Sequence, residues 1–166
     1  MDNSAPLIST TEQTFPITLR SFNSSKPFDQ VVFDFEKQLG RFDQAFALSS
    51  ADPPTAVKAM EGELGLMIIH VLEMGALLPS LAASHTLARQ YLVGNPNIAS
   101  NMAKFDPLAA LYAPPRVLIY TTEAGTCISY DQPSSVFGRL NSNDIMQTAI
   151  ELDQKFETLA MRSLAK

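Results

Sequence analysis

The chain is poor in the residues that metal and redox chemistry draw on. It holds one cysteine and two histidines in 166 residues. Cys127 has no partner for an internal disulfide, which fits a reducing compartment. His70, His85 and Cys127 follow no Cys-x-x-Cys or His-x-x-x-His spacing, so nothing points to a metal site. No cofactor is implied. Charge is scarce as well, at 17% of residues, with twelve basic and seventeen acidic side chains and a net charge of −5. No run of Lys or Arg forms a basic stripe, which argues against a nucleic-acid partner. A long hydrophobic run is also missing. The stretch from Leu64 through Val71 is broken by His70 and Glu73 and is too short to span a bilayer, so no membrane partner is expected. Residues 1–14 are polar and lack the basic and apolar regions of a secretory signal. They are expected to form a disordered tail on a cytoplasmic protein. There is no Gly-x-Ser-x-Gly, and Gly94-Asn95-Pro96 lacks the repeated glycines and the Lys-Ser/Thr pair of a phosphate loop.

What is present describes an ordinary globular domain, expected over 15–166. The composition is 46% hydrophobic and the mean hydropathy is +0.04. A domain of this size buries roughly two-thirds of its unfolded surface. So few charges leave apolar surface to hide, and a homodimer interface would hide it.

The hydrophobic periodicities alternate between two and 3.6. Phe15, Ile17 and Leu19 alternate with Thr18 and Arg20, which predicts a strand over 15–22. Phe28, Val31, Val32, Phe35 and Leu39 stand at helical spacing, and Gly40 suits the C-cap. Residues 41–54 read as a loop, followed by a short helix over about 55–63. Gly65 to Met74 reads as a buried strand, and 75–85 is ambiguous because Pro79 interrupts a helical composition. A strand over 87–93 ends at Gly94. Asn95 caps a helix and Pro96 opens it. Strands over 116–122 and 126–130 are joined at Glu123-Ala124-Gly125, a hairpin signal. Ser142 and Asn143 cap a last helix with an apolar stripe of Ile145, Ala149, Leu152, Phe156 and Leu159. The fold class is therefore α+β: a mixed or antiparallel sheet of about five strands, with helices packed on it.

The polar residues that punctuate the sheet are the candidates for a site. Gly94, Asn95 and Pro96 form a strand-to-helix turn, and the N–H groups of Asn97 and Ile98 would attract an anion. Arg116 opens a strand after two prolines. It either pairs with a carboxylate such as Asp106 or Asp131, or binds an anionic ligand. Tyr112, Tyr120, Tyr130 and Asp131 would line the same pocket if the helix at Pro96 and the strand at Arg116 end at one edge, and Tyr120 and Tyr130 would otherwise pack on paired strands. His70, in an apolar strand, is a packed core residue or a proton-transfer group. Three functions follow. The first is a homodimer binding a small, anionic ligand at Gly94–Pro96, Tyr112, Arg116, Tyr130 and Asp131. The second is an enzyme with His70 as base, Arg116 as anion clamp and Asp131 as a further catalytic candidate. The third is a protein-interaction scaffold.

Several short pieces, in this order and spacing, resemble a known family. They are Met67-Ile68-Ile69-His70, Tyr91-Leu92-Val93-Gly94-Asn95-Pro96, Asp106-Pro107, Leu111-Tyr112-Ala113-Pro114, Arg116-Val117-Leu118-Ile119-Tyr120, Tyr130-Asp131-Gln132-Pro133 and Leu152-Asp153-Gln154-Lys155. The chain is similar over residues 15–164 to the bacterial and archaeal domain of unknown function 302. The resemblance implies a small α+β fold, often homodimeric, with no established activity. Many relatives carry an Asp-His pair after the strand at 66–72, where this chain has Glu73-Met74. The resemblance thus supplies a fold and not a chemistry.

Overall fold

The computed structural model describes residues 8–166. Six strands form one sheet: β1 (Leu19–Ser24), β2 (Gly40–Arg41), β3 (Met67–Leu72), β4 (Ala88–Gly94), β5 (Arg116–Thr122) and β6 (Gly125–Asp131). Their order is β1-β6-β5-β4-β3-β2. All pairs are antiparallel except β2 with β3. The helices are α1 (Phe28–Glu36), α2 (Gln44–Ser49), α3 (Pro53–Ala59), α4 (Met74–Leu77), α5 (Pro79–Ala83), α6 (Pro96–Ala103), α7 (Ala109–Tyr112), α8 (Pro133–Phe137) and α9 (Asn143–Leu164). The fold is α+β, as the periodicities predict, with six strands where about five are expected. Among the described residues no helix is long and apolar enough to cross a membrane.

The extra strand, β2, straddles the start of the predicted loop 41–54, and α2 lies within it. Two residues of strand and six of helix are too short to write a periodicity. Gly40 is not a C-cap. The helix ends at Glu36 with Lys37 as its cap, and Gly40 opens β2. The expected tail over 1–14 lies partly outside the described residues, and 8–14 carry no regular secondary structure.

The sheet has two unlike faces. One packs on α1 and α9 through Ile68, Tyr91, Val93, Val117, Ile119 and Ile128, all buried. The α9 stripe Ile145, Ala149, Leu152, Phe156 and Leu159 is buried throughout. Period-2 alternation on the strands and the 3.6 period on the helices present these side chains to one another. In the opposite face, the registers align Leu118 with Gln90 and Ser129, and Leu92 with His70 and Arg116. Leu19 belongs to this outer face and is 65% exposed. The N-terminal strand therefore turns Leu19 outward, and Arg20 and Phe22 meet the helices instead. Phe22 stacks on Tyr130, and Arg20 pairs with Glu157 of α9 at 3.0 Å.

Candidate functional site

The end of the sheet where β4 stops, β5 starts and β6 stops gathers most of the sequence candidates. Gly94 closes β4, and a Cβ there would meet that of Pro114 at 3.0 Å. Asn95 is buried and its side chain is fully used. Its Oδ1 accepts from the Asn97 N–H at 2.8 Å, and its Nδ2 donates to Glu61 Oε1 at 2.7 Å and to the Gly65 carbonyl at 2.9 Å. Pro96 occupies the first helical position of α6. The turn is thus a built helix start. The cap takes up the Asn97 N–H, one of the two donors expected to face an anion there.

Two cavities lie back to back at this end. The first, about 200 Å³, runs between α6 and the Pro114-Pro115 segment and is lined by Ile69, Ile98, Met102 and Leu152. Gly94, Asn95 and Pro96 form part of its wall. It is apolar, since the Asn95 amide faces its own partners. The second, about 400 Å³, opens beside it and is lined by Tyr112, Arg116, Asp131 and Arg139, with Leu92 and Val136. Pro114, Pro115 and Phe137 belong to both walls.

Register explains how Arg116 and Asp131 meet. Val117 pairs with Tyr130, so the next step of the antiparallel ladder sets Arg116 opposite Asp131. Both are exposed. Among the described residues no carboxylate lies within ion-pair distance of Arg116, so neither Asp106 nor Asp131 neutralises it. Leu92 pairs with Arg116 and with His70, which puts His70 in the same cross-strand row. Two strand spacings, roughly 10 Å, separate His70 from Arg116. His70 is exposed on the outer face and does not line the cavity.

Tyr130 is not a cavity residue. Its side chain points to the other face of the sheet, 4% exposed, with ring centroids 6.0 Å from Phe22 and 5.4 Å from Phe156. Adjacent strand residues face opposite ways, so Asp131 and Tyr130 cannot both reach one pocket. Tyr120 likewise sits opposite Cys127 on the outer face and does not pack on Tyr130. Burial pushes the Tyr130 phenol up to about 12, and burial also raises Tyr91. A phenol that resists ionisation in the folded chain favours folding below its unfolded value near 10. That contribution falls away as pH rises towards 12, by about 1.4 kcal/mol per pH unit for each group. Of the four tyrosines, Tyr91 and Tyr130 are expected to titrate only with alkaline unfolding. A smooth phenolate titration of all four before any loss of circular dichroism would contradict this.

Arg139, which the sequence reading did not single out, completes the second cavity. It lies in the 3₁₀ turn Gly138–Leu140, directly after α8. Its guanidinium carbon stands 3.3 Å from the Tyr112 ring centroid and 5.3 Å from that of Phe15. No periodicity marks a single arginine between two helices, so only the fold brings it here. Glu73, directly after β3, forms an ion pair with Arg89 at 2.6 Å.

These features define a class: an α+β domain with α1 and α9 packed on one face of its sheet and a partly apolar, doubly cationic cavity at one sheet end. The chain belongs to the family described as "Domain of unknown function DUF302", which matches residues 46–162. It is similar to a solved structure, that of an uncharacterized conserved DUF302 protein from Bacillus stearothermophilus. The TM-score is 0.62 at 14% identity, over 87% of this chain and 96% of that one. At that identity the likeness speaks for the fold alone. No curated protein matches the sequence.

Proposed function

We propose that this protein is a homodimer that binds a small anionic ligand in the cavity bordered by Tyr112, Arg116 and Asp131. The observation that carries the reading is the cavity itself. At about 400 Å³ it is within the size range of small-molecule sites, and mostly apolar walls with a few convergent polar groups are their usual make-up. Arg116 is held at its mouth without a carboxylate partner, and a guanidinium in that state suits an oxyanion. Gly94 and Pro96 contribute backbone shape to the adjoining apolar cavity.

The dimer reading is supported by the outer face of the sheet, which carries Leu19 and Leu118 among polar residues such as Ser21, Gln90 and Ser129 and has α1 and α9 on its far side. An antiparallel sheet tolerates one solvated face, but the exposed Leu19 and half-buried Leu118 on it favour a second copy. A free, buried Cys127 is in keeping with a cytoplasmic protein.

Native mass spectrometry of gently purified protein tests both parts. A dimer is expected, with Leu118→Glu giving a folded monomer. The wild type is expected to carry an added mass that Arg116→Ala reduces about tenfold or more, the effect of one hydrogen bond to a charged group. A wild-type monomer would end the dimer reading. Full retention of the ligand by Arg116→Ala would end the assignment of the site.

A further inference from the structure

We infer that Arg139 is the anchor of this cavity and that the ligand is a carboxylate on an apolar alkyl or aryl body. The inference rests on the ligand-binding reading above and names its ligand class.

The state of Arg139 is the starting point. Its side chain makes no ion pair and no hydrogen bond among the described residues, and its Nε and Nη2 are buried without an acceptor. Burial pulls its pKa down, yet a guanidinium keeps its proton in proteins. The aromatic faces of Tyr112 and Phe15 stabilise such a cation, and they leave its charge uncancelled. Asp106 borders Arg139 on the side away from the main cavity but lies beyond ion-pair distance, and one of its oxygens already accepts the Leu108 N–H at 2.9 Å. A partly buried charge with no counter-charge is unfavourable unless something else supplies one. An anion in the cavity would do so.

The walls indicate what kind of anion. Arg116 and Arg139 contribute two positive charges and Asp131 one negative, so the lining carries a net +1. That balance matches a monoanion, and Asp131 works against a second negative charge. The remaining wall is apolar but for the Tyr112 hydroxyl, with Leu92, Leu111, Val136 and Phe137 among prolines. Such a surface does not replace the water shell of inorganic phosphate, but it does shelter an alkyl chain or a ring. The Arg139 guanidinium, 3.3 Å from the Tyr112 ring centroid, keeps N–H donors unspent, and arginine recognises a carboxylate through such donors.

The test is isothermal calorimetry of the full chain with sodium octanoate, 1-octanol and inorganic phosphate as separate probes. Octanoate is expected to bind, and the other two at least tenfold more weakly. Arg139→Gln is expected to weaken octanoate about tenfold or more without lowering the melting temperature, since it removes an unpaired charge. Arg139→Lys is expected to recover only part of the loss, because an ammonium cannot lie flat on a ring. In the wild type, octanoate is expected to shift the Arg139 Nε–H resonance, a readout that needs no variant. If Arg116→Gln abolishes binding and Arg139→Gln leaves it intact, the anchor assignment falls and the cavity reading stands. If phosphate binds as tightly as octanoate, the ligand class falls. If neither anion binds, the inference and the reading beneath it fall together.

Discussion

Lys26→Met is expected to destabilise the protein by about 3 kcal/mol, the scale of breaking a buried charged hydrogen-bond cluster. For a chain of this size that is a drop of roughly 10 °C in melting temperature. Lys26 is 8% exposed, and its ammonium donates to the Ser163 carbonyl at 2.9 Å and the Ala165 carbonyl at 2.7 Å. It also forms an ion pair with Asp34 of α1. A cation at a helix C-terminus meets both the unpaired carbonyls and the negative end of the dipole. The Lys26 carbonyl accepts from Thr126 Oγ1 at 2.8 Å, so one residue joins α9, α1 and β6. Methionine fills the volume and leaves the Ser163 carbonyl buried without its donor. Hydrogen bonds from Lys26 and Lys37 hold the Asp34 carboxyl below its usual range. A depressed carboxylate contributes stability above its unfolded value near 4, and loses it as pH falls through the folded value. The wild type should therefore lose stability below about pH 4, and Asp34→Asn should flatten that part of the profile. Thermal melts across pH check both. A Lys26→Met protein that melts with the wild type would refute the capping account.

Gly40→Ala is expected to be at least as damaging, above 4 kcal/mol on the scale of single substitutions. A Cβ at Gly40 would stand 1.7 Å from the Met60 carbonyl oxygen and 2.8 Å from the Gly62 nitrogen. These are backbone atoms, held by a closed set of hydrogen bonds. The Gly40 and Gly62 N–H groups both donate to the Leu66 carbonyl, at 3.0 and 3.1 Å, and the Glu63 N–H donates to the Gln38 carbonyl at 3.1 Å. No side chain can swing aside to make room, so β2 must leave the sheet. Gly65 is the contrast. Its φ of +68° disfavours a side chain, but the nearest atoms to an added Cβ are the Lys155 Nζ at 3.4 Å and the Glu61 Oε2 at 3.7 Å. Gly65→Ala is expected to cost only about 1–2 kcal/mol, the price of a left-handed residue. Urea unfolding of the pair separates close approach from backbone strain. Equal losses would mean that the contact at Gly40 relaxes.

The contrast also shows why Gly40 misleads when read along the chain. After an amphipathic helix a glycine suggests a C-cap, and the local pattern contains nothing against it. Its role is set by Gly62, which lies against it only after the loop folds back. Arg116 and Asp131 were legible as site candidates because each interrupts an apolar strand at its end, where polar side chains have little packing reason to be. Tyr130 failed the same reading because it adjoins Asp131 in sequence, and adjacency in a strand means opposite faces. Asn95 was legible as a helix cap, while its second set of bonds, to Glu61 and Gly65, was not. Arg139 carried no signal at all.

By itself the amino-acid sequence determined the longer elements and the fold class. The α9 stripe, the cap at Asn95-Pro96 and the hairpin around Glu123–Gly125 are local, and hydrophobic spacing and turn chemistry act over a few residues. It also determined that helices would pack on a face of the sheet. Tertiary structure alone decided which face that is. It turned Leu19 outward and Phe22 inward, and it carried Arg139 from a turn after α8 to the rings of Tyr112 and Phe15. The reason is physical: a register shift of one residue exchanges the two faces of a strand, and a cavity is made of side chains far apart in the chain. Neither is encoded within the reach of a helical turn or a strand.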